Sequence, residues 1–97
     1  MHILQIEYPV RDYDAWKAAF DTDRLDRAGS GVRRHRILQP TDDPNYVVIH
    51  LEFEDAGEAE AYLAALQRVV YSSQEASPAV GGGPQTRIVE VVETREY

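Results

Sequence analysis

The sequence predicts an α+β fold built from two βαβ units, and three observations carry that prediction. Apolar residues alternate along two segments, recur at three- and four-residue spacing along two others, and close in a β-branched run near residue 90. Clusters of Gly, Pro, Asp and Asn fall between these periodic segments. A chain of 97 residues is one domain's worth, so all elements, from residue 1 to 97, share a single core.

The first segment, His2 to Val10, sets Leu4, Ile6, Tyr8 and Val10 on one face and Ile3, Gln5 and Glu7 on the other, as a strand does. Asp12 can cap the helix that follows, where Tyr13, Trp16 and Phe20 line one stripe. This helix is predicted over 12–28, stopped by Gly29-Ser30-Gly31. A second strand runs from Val32 to about Gln39, and Pro40 to Asn45 reads as a hairpin loop. Tyr46 to Glu54 alternates again, with Val47, Ile49, Leu51 and Phe53 opposed to Val48, His50 and Glu52. Asp55 and Glu58 have the spacing of a capping box, and Ala59, Tyr62, Leu63, Leu66, Val69 and Val70 form the stripe of a helix over 55–71. Ser72 to Gln85, with Gly81-Gly82-Gly83, lacks periodicity and reads as a mobile loop, either a linker or a lid. Thr86 to Thr94 is apolar enough to be buried on both faces, as an inner strand or one covered by a partner.

The order βαββαβ, with right-handed crossovers, places both helices on one face of a four-stranded antiparallel sheet, which is the ferredoxin-like arrangement. The other face, carrying Ile3, Gln5, Glu7, Val48, His50 and Glu52, is mixed in character. Such a face can be covered by a second subunit or line a cavity.

Composition excludes several classes of function. There is no cysteine, so disulfides, thiolate nucleophiles and sulfur-ligated zinc are ruled out, and the cytoplasm is the default location. No apolar run approaches the ~20 residues of a membrane span, and the strand pattern beginning at His2 leaves no room for a signal peptide. A formal charge of −7 repels phosphate backbones, which argues against nucleic acid as a partner.

Three stretches carry a family resemblance: Asp12-Tyr13-Asp14-Ala15-Trp16-Lys17 at the first helix, Gly31-Val32-Arg33 at the second strand, and Asp43-Pro44-Asn45 before Tyr46-Val47-Val48-Ile49. Over nearly its whole length the chain resembles the dimeric α/β-barrel superfamily, which includes antibiotic biosynthesis monooxygenases, polyketide cyclase-like proteins and uncharacterised actinobacterial groups. The resemblance implies a homodimer whose sheets pack face to face, with a small-molecule pocket between each sheet and its helices. Haem-degrading members carry a histidine ligand on a helix, whereas all three histidines here lie on strand-like segments, so no haem or other cofactor is expected. Cofactor-independent monooxygenases of this fold use Trp, Asn, Tyr or Arg beside an oxidisable aromatic substrate, parts that Trp16, Tyr13 and Tyr62 could play.

The residues themselves offer three candidate groups. A hairpin centred on residues 42 and 43 sets His35 opposite His50, with Glu52 on the same face. Two imidazoles and a carboxylate can serve as general acid and base, whereas a metal site would need a third well-placed ligand and none is expected. The plainer alternative seats both rings in a dimer interface, and a one-residue change of register moves His35 to the other face. Tyr13, Trp16 and Phe20 form either an aromatic wall for a planar substrate or the core stripe of their helix. Arg33, with Arg34 and Arg36, either holds a carboxylate-bearing ligand or protects an edge strand by charge. Two functions remain: a cofactor-independent monooxygenase, cyclase or isomerase acting on a hydrophobic or aromatic molecule, and a non-enzymatic binding or regulatory homodimer.

Overall fold

In the computed structural model, which describes residues 1–69 and 83–97, the elements follow the expected order. They are β1 (His2–Pro9), α1 (Tyr13–Asp21), β2 (Arg34–Leu38), β3 (Tyr46–Phe53), α2 (Ala56–Val69) and β4 (Gln85–Glu90). The strands pair antiparallel in the order β2-β3-β1-β4. Leu4, Ile6 and Tyr8 of β1 and Val47, Ile49, Leu51 and Phe53 of β3 share one core with Trp16 of α1 and Ala59, Tyr62 and Leu66 of α2. Both helices therefore cover the same face, because that face carries the apolar member of each alternating pair. No helix among the described residues is long and apolar enough to cross a membrane.

The first helix is shorter than the glycine stop at Gly29-Ser30-Gly31 predicts. Asp12 caps it in extended conformation, its carboxylate accepting from the Ala15 N–H at 3.0 Å. It ends at Asp21 rather than near residue 28 because the polar side chains beyond that point bond the backbone in competition with the helix. Thr22 Oγ1 donates to the Ala19 carbonyl at 2.7 Å, and Asp23 Oδ1 accepts from the Arg27 N–H at 2.8 Å. Asp23 and Asp26 take left-handed φ values of 53° and 51°, which aspartate tolerates better than most residues. Gly31 then turns the chain at φ 102°, where an added Cβ would lie 2.6 Å from a Glu58 carboxylate oxygen on α2.

The register of β2 corrects the predicted histidine pair. Arg36, not His35, stands opposite His50, and His35 stands opposite Leu51. Opposed residues share a face, so the register read from the turn would have placed Arg34 and Arg36 on the helix-covered side. The observed ladder instead sets Ile37 opposite the buried Ile49 and keeps both arginines out of the core. The loop allows this because side chains shape it: Gln39 Nε2 donates to the Pro44 carbonyl at 2.8 Å and Asp43 accepts from the Asn45 N–H at 2.9 Å.

The last strand also differs. It forms an edge of the sheet, and its ladder closes with Val91 N–H donating to the Met1 carbonyl at 3.0 Å. An inner position is thus overturned, and beyond the ladder Val92 is 86% exposed. On α2, Asp55 accepts from the Glu58 N–H at 2.8 Å, which forms half of the expected capping box. Val70 and all of Ser72–Gln85 up to Gly82 lie outside the described residues, so the linker-or-lid expectation does too.

Candidate functional site

Between sheet and helices, α1 and β1 build an aromatic wall. The spacing of Tyr13, Trp16 and Phe20 aims all three at the sheet, and their rings follow one another at 5.7 Å and 5.2 Å between centroids. Trp16 is only 3% exposed, and its indole N–H donates to the Tyr8 hydroxyl at 2.6 Å in the core. Phe20 carries the wall to the sheet edge, where the His35 ring meets it edge-on at 5.2 Å. The Arg27 guanidinium lies 3.9 Å from the Phe20 centroid while donating to the Phe20 carbonyl at 3.0 Å. Tyr62 of α2 packs on Phe53 at 5.7 Å. Burial pushes its phenol pKa upward, with Asp23 acting the same way and the Arg27 cation pulling it back, so the hydroxyl stays protonated at neutral pH.

The opposite face of the sheet is polar and connected. The Tyr46 hydroxyl donates to one oxygen of Glu7 at 2.8 Å, and the Gln5 amide reaches the other at 3.4 Å. The bond to Glu7, which only a protonated phenol can donate, pushes the Tyr46 pKa up. Gln5 Oε1 in turn lies 3.2 Å from His50 Nε2. Glu52 is 7% exposed on this face and held by Arg34, whose Nε and Nη2 both lie 2.7 Å from Glu52 Oε2. Burial, and then the Arg36 cation, push the His50 pKa below the ordinary histidine value, while Glu52 draws it partly back.

The residues singled out in the sequence thus fall into separate places. Tyr13, Trp16 and His35 come together at the aromatic wall, and Tyr62 joins the same core from α2. His50 lies on the other face, so the two histidines do not meet. Arg33 sits outside the sheet edge, more than half exposed, with Glu54 at 3.3 Å. Among the described residues no cluster of three or more His, Cys, Asp or Glu is arranged to hold a metal ion. Sequence reasoning missed Tyr8 as partner of the indole, Arg27 as the cation over Phe20, and the Tyr46–Glu7–Gln5–His50 chain. Alternation alone already put Gln5, Glu7 and His50 on one face, and pairing β1 with β3 in register would have joined them.

No protein-family model matches the chain, and no curated protein matches it either. Solved structures do. SnoaB, a cofactor-independent oxygenase from Streptomyces nogalater, superposes with a TM-score of 0.75 at 15% identity, over 96% of this chain and 94% of that one. The fold is ferredoxin-like. A Nitrosomonas europaea protein provisionally assigned as an antibiotic biosynthesis monooxygenase gives 0.66 at 20% identity, over 96% of this chain and all of that one. A dimeric ferredoxin-like protein from an uncultured marine organism gives 0.62 at 8% identity, with both chains fully covered. At these identities the likeness establishes the fold, and the site has to be argued from this chain's own residues.

Proposed function

We propose that this ferredoxin-like chain is a cofactor-independent monooxygenase for a small hydrophobic or aromatic molecule, acting as a homodimer through the open sheet faces. The observation that carries the reading is the β2 register, which brings His35 to the end of the Tyr13–Trp16–Phe20 wall. A planar substrate against that wall would present an acidic C–H or phenol to the imidazole, which accepts the proton as general base. The electron-rich anion then reduces dioxygen itself. A methylene becomes a carbonyl, one oxygen atom enters the product, the other leaves as water, and all four electrons come from the substrate. Tyr13 and Trp16 exclude water and fix the ring plane, with Tyr62 behind them.

The test uses an anthrone-type phenol as probe, with oxygen uptake and product formation followed together. His35→Gln is expected to lower kcat by about 100-fold or more, the usual scale of a lost general base, with the circular dichroism spectrum unchanged. Unaltered turnover in that variant would remove His35 from the mechanism. A second reading, a non-enzymatic binding homodimer, is favoured by the 3% exposure of Trp16 and by an indole N–H already used by Tyr8. Quenching of Trp16 fluorescence by the probe without oxygen uptake would decide for it.

A further inference from the structure

Once His35 has taken a proton, the proposed reaction leaves a negative charge on the substrate, and none of the groups assigned to it receives that charge. A cation stands at the same ring as the base. The Arg27 guanidinium lies 3.9 Å from the Phe20 centroid, and the His35 ring lies 5.2 Å from that centroid. Base and cation thus share one aromatic neighbour, within the span of a fused-ring molecule. The other arginines near β2 are placed elsewhere: Arg33 meets Glu54 outside the sheet edge, and Arg34 and Arg36 belong to the open face.

The backbone holds Arg27 in position independently of its side chain. Its N–H donates to Asp23 Oδ1 at 2.8 Å, and its carbonyl accepts from the Val32 N–H at 2.9 Å and the Ser30 N–H at 3.2 Å. A cation fixed by such a frame needs no rearrangement when charge develops beside it. The guanidinium also keeps donors in reserve. Of its five N–H groups, one on Nη1 goes to the Phe20 carbonyl at 3.0 Å, and Nε faces Asp23 Oδ1 at 3.5 Å. That second contact is long for an ion pair, because the same Asp23 oxygen makes its shorter bond to the backbone.

Tyr62 completes the arrangement from α2. Arg27 acts on its hydroxyl through charge and through a hydrogen bond. Arginine only donates, so the hydroxyl accepts from it and keeps its own proton to give. Among the described residues nothing takes that proton. Neither group is sealed off. The Arg27 side chain is 15% exposed, and the enclosed side-chain atoms without a partner belong, among the described residues, to His2 and His50.

We infer that Arg27 and the Tyr62 hydroxyl form an oxyanion-binding pair, which selects aromatic substrates bearing an ionisable ring oxygen, as a phenol or an enolisable ketone. The inference rests on the oxygenation site proposed above. When His35 removes the proton, the electron pair of the broken C–H or O–H bond is shared with that oxygen, and the proton stays on the imidazole. The Arg27 N–H and Tyr62 O–H then donate to the oxygen, in a place with little water where such donors act most strongly. Asp23 opposes the anion, but its side chain is 39% exposed and screened by solvent, while the protonated His35 assists.

Anaerobic titration of the anthrone-type phenol, followed by the absorbance of its anion, separates ionisation from turnover. Bound to the wild-type chain, the probe is expected to ionise with an apparent pKa about 1 to 3 below its value in water, so that the anion binds at least about 10-fold tighter than the neutral form. Arg27→Gln should abolish this preference, Arg27→Lys should retain part of it, and Tyr62→Phe should weaken it. His35→Gln should keep the preference while losing turnover. If Arg27→Gln loses its circular dichroism spectrum, the wild-type preference and its reduction in Tyr62→Phe decide. A probe that binds the wild type yet ionises as it does in water, or a preference that survives undiminished in Arg27→Gln or, where that variant is unfolded, in Tyr62→Phe, overturns the oxyanion pair and leaves the wall and His35 standing. A wild type that binds no probe removes the wall as a site, and the pair with it.

Discussion

The two faces of the sheet are built from the same four strands and hold together by different physics. On the helix-covered face, Phe53, Leu4, Ile6, Ile49 and Val47 are fully buried, and the Trp16 indole N–H donates to the Tyr8 hydroxyl among them. Stability there comes from apolar area removed from water and from close packing. On the open face, Tyr46, Glu7, Gln5 and His50 form a chain of hydrogen bonds, and Glu52 is held by Arg34. Those bonds replace bonds to water, so each contributes little net stability but defines direction and protonation. The covered face is therefore where the fold is held, and the open face is where the polar groups are linked to one another.

Substitutions can break or sharpen this contrast. Phe53→Ala on the covered face should cost about 3–5 kcal/mol in urea unfolding, since it opens a cavity at the centre of the core. A loss below about 1 kcal/mol would mean that this face is not the principal source of stability. Tyr8→Phe leaves the buried indole N–H without an acceptor and should cost about 1–3 kcal/mol, with a shifted Trp16 emission maximum as a second readout. Arg34→Ala on the open face strips Glu52 of its cation, yet Arg34 is largely solvated, so the expected loss in the single chain is about 1 kcal/mol. If it equalled the loss from Phe53→Ala, the distinction between the faces would collapse.

The aromatic wall and the histidines show how legibility divides. Tyr13, Trp16 and Phe20 were placed on one stripe by spacing alone, and the order of strands and helices followed from changes in apolar period. The end of α1 was not legible, because no glycine or proline stands between Asp21 and Gly29 to mark a stop, while Thr22, Asp23 and Asp26 bond the backbone in competition with the helix. His35 was misplaced by one residue, which in a strand means the opposite face.

By itself the sequence determined the element order, the apolar face of β1 and β3, the acidic balance and the absence of cysteine, because periodicity and composition are local properties. Only the tertiary structure decided that His35 meets Phe20, that His50 hangs on Gln5 with its Nδ1 buried, and that β4 is an edge. Those facts depend on register and strand order. Both are set when Ile37, not an arginine, enters a core built by residues distant in the chain.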